Sequence, residues 1–320
     1  FLALSTFSIT FFLRVVFKNP PLWFLCLGTL LYIANTYILM VVGGGQMGIA
    51  LAYSIAPLIL ARFIRLIHSP SYHRQNFQFP ISNFEFRITN YQLPITVALV
   101  FALQVMFDIR IAYITMGIVL FYAIYYYIFI ERFDLKLYVI HYALISIIVL
   151  GLHAYWLLSF FLFNLFSFPQ GLTSVEGFQF FSFADFSHAL SLLHPNWPEN
   201  IFGKTYFLWP EFLVLPLLAF SSLLFLNSKL TSQKSELQLK SQNLEINNHL
   251  ISPTQGPLRS EASEARLWRQ YPNILVSFFA LIGLLGAFLA KGVNPPLGEV
   301  NQWLFQYIPG MNLFRDPTKF

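Results

Sequence analysis

Charged side chains are scarce in this chain, and their scarcity excludes most water-soluble proteins. Asp, Glu, Lys and Arg account for 10% of the 320 residues, whereas roughly 25% is usual in a soluble domain. Apolar residues account for 57%, and the charges fall almost entirely between long apolar runs. Because about 20 apolar residues cross the hydrocarbon core as a helix, the composition indicates an integral membrane protein with several spans.

Cysteine pairs, metal-ligand spacings and phosphate-binding loops are missing as well. The single cysteine, Cys26, lies inside an apolar run, so no internal disulfide can form and a packing role is expected. The glycine run at 43–46 predicts a tight turn, but it lacks the Lys-Ser/Thr pair of a phosphate-binding loop. The net charge of +5 does not indicate nucleic-acid binding, because a positive excess in a membrane protein marks its cytoplasmic loops.

Eight apolar segments predict an all-α integral membrane fold of about eight transmembrane helices. The segments are 1–17, 22–42, 47–67, 94–107, 111–130, 137–163, 210–227 and 272–290. The fourth is short, and could be a tilted span or form a re-entrant hairpin with the fifth. The chain lacks an initiator Met and begins inside an apolar run, so we expect a fragment of a longer protein with a partial transmembrane domain over 1–320.

The distribution of Lys and Arg predicts the orientation of these segments. If Arg14 and Lys18 are cytoplasmic, alternation places most of the 19 positive residues on that side, while the acidic residues divide evenly. Three long connections follow: a cytoplasmic loop at 68–93, an outer loop at 164–209 and a polar cytoplasmic linker at 228–271. An outer segment at 291–320 follows the last predicted span. "Outer" denotes here the side opposite the cytoplasm.

The outer loop 164–209 carries ionisable candidates for a substrate site. Asp185 and His188 are three residues apart, so they would share one face of a helix, and His194 follows them. They are either acid, base or ligand groups in a cleft, or a solvated surface in which Asp185 or Ser182 caps a helix. The second interpretation is favoured for an exposed loop.

The segment 291–320 ends in FRDPTKF, which suits an anionic lipid headgroup. Arg315 and Lys319 are four residues apart and could bind a phosphate, with Asp316 holding the arginine or a sugar hydroxyl. Alternatively, Asp316 before a proline is a helix start. Upstream, Val300, Leu304 and Ile308 recur every four residues and predict an amphipathic helix in the membrane interface.

Polar groups near the spans are the remaining candidates. Asp108 and Arg110 form a charged pair between the fourth and fifth segments, either as a functional site or as a mutually paired surface turn. Asn35 lies within a span and predicts interhelical hydrogen bonding more than a substrate site. His141 and His153 in the sixth segment are typical of satisfied packing groups.

Three stretches in order along the chain resemble a known family. They are YIANTYIL with GGGQMGIALAYSIAPLIL, then HAYWLLSFFLF, then LGAFLAKGVNPPLGEVNQWLFQYIPGMNLFRDPTKF. Together they resemble the GT-C superfamily of polytopic bacterial glycosyltransferases, and most closely its YfhO-like group near the mycobacterial arabinofuranosyltransferases. The resemblance implies a multi-pass enzyme of the inner (plasma) membrane that takes sugar from a polyprenyl-phosphate-linked donor.

Further expectations follow from the same resemblance. The acceptor would be a glycan, lipid or protein on the outer face, the partners would be membrane lipids and no nucleic acid, and a divalent metal is possible. The family's catalytic base is an acidic residue in the first outer loop, expected upstream of residue 1. The alternatives are a transporter or flippase for a lipid-linked or small polar substrate, and a catalytically inactive relative.

Overall fold

The computed structural model describes residues 1–17, 20–68, 92–129, 135–162, 174–182, 184–190 and 275–314, with isolated residues between 213 and 223. Within these ranges the structure is helical and contains no strand, which confirms the all-α prediction. The chain divides into one compact unit of 1–208 and 286–320 and a second of 209–285. The contacts discussed below all belong to the first unit.

Eleven α-helices and one 3₁₀ turn are defined within the described ranges. They are α1 (Leu2–Val16), α2 (Leu22–Ile33), α3 (Thr36–Gly43), α4 (Met47–Ile67), α5 (Gln92–Phe107), α6 (Ile109–Phe129), α7 (Leu135–Leu162), α8 (Val175–Phe180), α9 (Phe186–Leu190), α10 (Leu275–Ala290) and α11 (Gly298–Tyr307), and the 3₁₀ turn is Met311–Leu313.

Helix α4 is the central helix of this unit. It packs against α1, α3, α5 and α6, while α5 also packs against α6 and α7. Small side chains on α4, among them Ala50, Ala52 and Ala61, are fully buried and let neighbouring helices approach closely. Ser5 of α1 and Ser54 of α4 join their hydroxyls at 2.7 Å within this contact. Small and weakly polar residues thus pack beside the larger buried side chains of α4, such as Ile59 and Phe63.

Three helices are long and apolar enough to cross a membrane, which is typical of a membrane protein. They are α4, α6 and the first 25 residues of α7. The predicted single span 22–42 is instead two helices, α2 and α3, bent by 52° at their junction, and this pair counts as a fourth span if taken together. Helices α1, α5 and α10 are apolar but shorter. The remaining predicted spans stay predictions.

The break between α2 and α3 has a local physical cause in Asn35. Its side-chain oxygen accepts a hydrogen bond from the Ile38 amide at 3.0 Å, so it caps the start of α3. Its amide group donates to the Tyr32 carbonyl at 2.9 Å and to the Tyr53 hydroxyl of α4 at 3.0 Å. Asn35 therefore makes the interhelical hydrogen bond predicted from the sequence, and it also satisfies backbone groups at the break.

The segments predicted to be outer meet at one end of this unit. Gly48, just after the 43–46 turn, lies against the Phe107 carbonyl at the end of α5. Tyr37 of α3 packs against Ala184 and Ala189 of the outer loop and against Ala290. At the other end, His68 after α4 bonds the Tyr122 hydroxyl of α6 at 2.9 Å. These contacts bring predicted outer segments together at one end of the helices, and the alternating topology itself stays a prediction.

Candidate functional site

A cleft of about 370 Å³ opens where α5 passes into α6, beside the second half of α7. This volume falls within the usual range for small-molecule sites. Its walls combine apolar and polar side chains, which are Val105, Met106, Phe107, Asp108, Ile109, Arg110, His153, Tyr155 and Trp156. The cleft therefore brings the predicted pair Asp108 and Arg110 together with a histidine and two aromatic residues of a different helix.

Asp108 and Arg110 form a two-point ion pair at the edge of the cleft. Arg110 donates from Nη2 to Asp108 Oδ2 at 2.6 Å and from Nε to Oδ1 at 3.1 Å. The same Oδ1 accepts the backbone amides of Arg110 at 2.8 Å and Ile111 at 3.2 Å, so Asp108 also caps α6. The side chain of Asp108 is 9% exposed and that of Arg110 is 32% exposed. The guanidinium therefore lies closer to solvent than the carboxylate.

The hydrogen bonds of Asp108 limit its chemistry. Its two oxygens accept four donors, two from the guanidinium and two from the backbone. The lone pairs of this carboxylate are therefore directed at groups of its own chain. We therefore assign Asp108 to positioning Arg110 and starting α6, not to proton abstraction.

His153 forms the opposite wall with a defined tautomer. Trp156 donates its indole N–H to His153 Nδ1 at 2.9 Å, and His153 Nε2 lies 3.0 Å from the Ala102 carbonyl of α5. An indole nitrogen only donates and a carbonyl only accepts, so these partners assign Nδ1 as the acceptor and Nε2 as the donor. His153 is thus a satisfied packing group, as the sequence analysis favoured, and it orients Trp156.

Tyr155 and Trp156 are the cleft residues that the sequence analysis missed. Both lie within HAYW, where Trp156 follows His153 by three residues and so shares its helix face. Tyr155 is strongly exposed and Trp156 is half-buried. The signal that could have found them is this spacing of a histidine and a tryptophan near the end of a long apolar helix.

Asp185 and His188 are brought together, but as a helix start and not as part of the cleft. Asp185 Oδ1 accepts the backbone amide of His188 at 2.7 Å and lies 2.7 Å from His188 Nδ1. Burial alone raises the pKa of Asp185, but the hydrogen bonds from His188 and Ser187 and the charge of His188 outweigh it, so the pKa is lowered. The geometry therefore supports the helix-cap alternative of the sequence analysis.

The outer segment after α10 folds back onto the outer loop through asparagines. Asn294 donates to the carbonyls of Ser182 and Ala184 at 2.9 and 2.6 Å. Asn301 donates to those of Phe288 and Gly292 at 2.8 and 2.7 Å. Of these four carbonyls, that of Phe288 lies in the last turn of α10, where a helix leaves its carbonyls free.

Lys291 is buried beneath this outer segment. Its ammonium group donates to the Asn294 carbonyl at 2.6 Å and lies 4.6 Å from the centre of the Phe288 ring. Burial lowers the pKa of Lys291. The carbonyl and the ring partly replace the water that the cation has lost, so Lys291 secures the end of α10.

Several predicted site residues lie outside the described residues, namely His194, Arg315, Asp316 and Lys319. The same applies to most of 68–93 and to all of 228–271. Within the part of the chain that is described, no group of three or more His, Cys, Asp or Glu could hold a metal ion. The described residues thus do not fit the divalent metal that the resemblance made possible, and no step below uses one.

Comparison of the chain with protein-family models, curated proteins and solved structures found no match.

Proposed function

We propose that this chain belongs to a membrane glycosyltransferase that moves sugar from a polyprenyl-phosphate-linked donor to a glycan, lipid or protein acceptor on the outer face. The observation that carries the proposal is the cleft between α5, α6 and α7, with Arg110 at its edge and Trp156 in its wall. A donor of this kind has an anionic phosphate, a polar sugar and an apolar tail, and the cleft offers a counterpart for each.

The position of the cleft supports this substrate class. It lies at the start of α6 and towards the end of α7, two helices that are long and apolar enough to span a membrane. A polyprenyl chain would remain in the hydrocarbon layer beside exposed apolar residues such as Met106 and Ile109. Its phosphate would then reach the level of Arg110, since headgroups lie where spans end.

The chemistry requires a cation on the leaving group. Transfer breaks the bond between the anomeric carbon and the phosphate oxygen, and forms a bond from that carbon to the acceptor oxygen. The acceptor's proton passes to a base, and polyprenyl phosphate leaves with its negative charge. Arg110 would stabilise that charge in the transition state, and Asp108 would keep the guanidinium in place. The proposal assigns no base among the described residues.

The test is turnover of a polyprenyl-phosphate sugar by the protein in lipid nanodiscs, measured as release of polyprenyl phosphate. We expect Arg110→Gln to lower the rate by about 100-fold or more, because losing one preorganised donor to developing charge costs that much. Arg65→Gln is the matched control, since Arg65 is exposed near the other end of α4 and lies over the Phe11 ring. Equal rates of polyprenyl phosphate release by the wild type and by Arg110→Gln would contradict the role of the cleft. If the wild type neither binds nor turns over the donor, the proposed function itself is contradicted.

A transporter or flippase is the second candidate, and the break between α2 and α3 favours it. Interrupted spans supply polar backbone groups at substrate sites in many transporters. In this chain Asn35 and Tyr53 already bond to groups at the break, which leaves less capacity for a substrate there. Movement of an intact lipid-linked sugar across liposomes, without bond cleavage, would favour this function over the first.

A further inference from the structure

Helix α11 has three distinct flanks, and one of them is an exposed apolar strip. With about 100° between successive residues of a helix, Asn301 and Phe305 project to the same side, and both are buried. Val300, Trp303 and Tyr307 project elsewhere and are 42%, 52% and 67% exposed. The strip therefore lies on the solvent side of a helix whose inner side is already packed.

The exposed side of α11 is itself divided between apolar and polar residues. Val300, Trp303 and Tyr307 fall within an arc of roughly 60°, and the rings of Trp303 and Tyr307 lie 5.7 Å apart. Glu299 and Gln306 are also exposed and project from the adjacent arc. A helix that faced only water would be polar over its whole outer side. The division indicates that one flank faces water and the other an apolar medium.

The inner flank fixes where α11 lies. Phe305 stacks on Phe178 of α8, with ring centres 4.4 Å apart. Just beyond the helix, the Pro309 carbonyl accepts a hydrogen bond from the Tyr113 hydroxyl of α6 at 2.8 Å. Gly310 has φ +86°, and a side chain there would collide with the Tyr113 ring. The end of α11 is therefore attached to the first turns of a candidate span.

Tyr113 also belongs to the outward surface of that span. Tyr113, Leu120 and Ile124 lie on one face of α6, and each is exposed. This is the face that lipid covers if α6 crosses a membrane. The surface that lipid would cover on α6 thus includes Tyr113, the residue that holds the end of α11.

We infer that α11 lies flat in the outer interface of the bilayer, with Val300, Trp303 and Tyr307 inserted among the lipids and Glu299 and Gln306 in water. Tryptophan and tyrosine are the residues that favour this level of a membrane, and such helices insert about 5–10 Å into the headgroup region. Glu299 is the only charged residue in α11, so the attachment depends on apolar burial and not on anionic lipid.

Site-directed spin labelling tests this inference on the protein in phosphatidylcholine nanodiscs. In a Cys26→Ser background, the label is placed at Val300→Cys, with Tyr307→Cys as a second position on the same strip. Gln306→Cys is the matched control, since residue 306 is exposed on the same helix but lies on its polar flank. We expect collisions with oxygen to dominate at 300 and 307, and collisions with a water-soluble nickel chelate to dominate at 306.

Two results would overturn the inference. Equal access of the nickel chelate at 300 and 306 would mean that the strip faces water. Exclusion of both reagents at 300 would mean that protein covers it, either a second copy or another segment of this chain. Adding anionic lipid to the nanodisc is expected to leave the pattern unchanged, and a shift of label 300 towards the lipid only with anionic lipid would contradict attachment by apolar burial.

Discussion

Asp108 and Asp185 perform the same local task at the starts of two helices. Each accepts backbone amides two or three residues ahead, and each also bonds the basic side chain that follows it, Arg110 or His188. They differ in surroundings, because Asp108 is 9% exposed beside a cleft and Asp185 is 52% exposed. The same residue type therefore supports a candidate site in one place and only a short helix in the other.

The cap at Asp185 predicts a pH dependence in α9. Folding lowers the pKa of Asp185, so the stability that its carboxylate gives to α9 is fully present above the ordinary pKa of 3.8. This stability is lost as the pH falls through the lower pKa of the folded protein. We expect protection of the Ala189 amide, which donates to the Asp185 carbonyl, to decrease over that interval. The loss of an N-cap costs about 1 kcal/mol, so protection should fall roughly fivefold.

Hydrogen exchange, corrected for the intrinsic rate at each pH, measures this effect. Asp185→Ala should show the reduced protection at every pH. Asp185→Asn is the control, since asparagine also caps helices but does not titrate, and its protection should stay constant with pH. A decrease of the same size in Asp185→Asn would show that another group titrates.

Pro57 within α4 explains a polar cluster between two helices. Proline has no N–H and so leaves the carbonyl four residues earlier, that of Tyr53, without its helical partner. The Tyr32 hydroxyl of α2 donates to this carbonyl at 2.6 Å. The next amide, that of Leu58, donates to the Ser8 hydroxyl of α1 at 2.9 Å. Neighbouring helices thus satisfy the backbone groups that the proline has released, as lipid-embedded backbone requires.

This arrangement predicts coupling between Tyr32 and Pro57. Tyr32→Phe leaves the Tyr53 carbonyl buried without a donor, which costs about 1–3 kcal/mol. In a Pro57→Ala background the helix can form its own bond to that carbonyl, so Tyr32→Phe should cost much less. The two substitutions, singly and together, are compared by reversible unfolding in mixed micelles. Additive changes in the free energy of unfolding would contradict the assignment.

The close approach of α4 to α5 predicts a site of low tolerance at Gly48. A methyl group there would lie 2.8 Å from the Phe107 carbonyl oxygen, which belongs to the backbone and cannot move aside alone. Gly48→Ala should therefore be destabilising by about 1–3 kcal/mol. Gly117→Ala in α6 is the matched control, because nothing lies within 4 Å of the added carbon, and it should be neutral or stabilising by up to about 1 kcal/mol. Thermal unfolding in detergent compares them, and equal effects would contradict the close contact.

At the scale of the whole molecule, the described parts of four predicted outer segments gather at one end of the helices. These parts are the 43–46 turn, the 108–110 turn, residues 174–190 and residues 291–314, and they are joined by contacts such as Tyr113 to Pro309 and Ser182 to Asn294. The prediction from Lys and Arg distribution and the contacts of the fold are independent of each other. The alternating topology stays a prediction, and the exposed positions at the two ends of the helices allow it to be tested.

Thiol labelling from one side of a membrane checks this topology. In a Cys26→Ser background, cysteines at 44 and 306 should react with a membrane-impermeant reagent from the same side, because both positions are exposed at the gathered end. A cysteine at 65 is exposed near the other end of α4. When the reagent is added on the side that labels 44 and 306, this cysteine should react only after the membrane has been permeabilised. Labelling of 44 and 306 from opposite sides would contradict the arrangement.

The sequence alone determined that the described part of the chain is helical, where α4, α6 and α7 lie, and which residues carry charge between apolar runs. Lipid requires every backbone group to be paired within a helix. A long apolar run with flanking charges therefore has few alternatives to a helical structure. Local patterns also gave both possible roles of Asp185 and the hydrogen-bonding role of Asn35, since caps depend on near neighbours.

Only the tertiary structure decided the rest. The cleft needed α7 beside the start of α6, so Trp156 and Arg110 could not be connected from their separation along the chain. The hydrogen bond from Asn35 to Tyr53 joins two helices, and the exposed strip of α11 depends on which of its sides Phe178 covers. Ile308 follows the end of α11 with extended backbone, so the predicted stripe of Val300, Leu304 and Ile308 is replaced by one through Trp303 and Tyr307. These features are long-range contacts, which periodicity in a sequence does not encode.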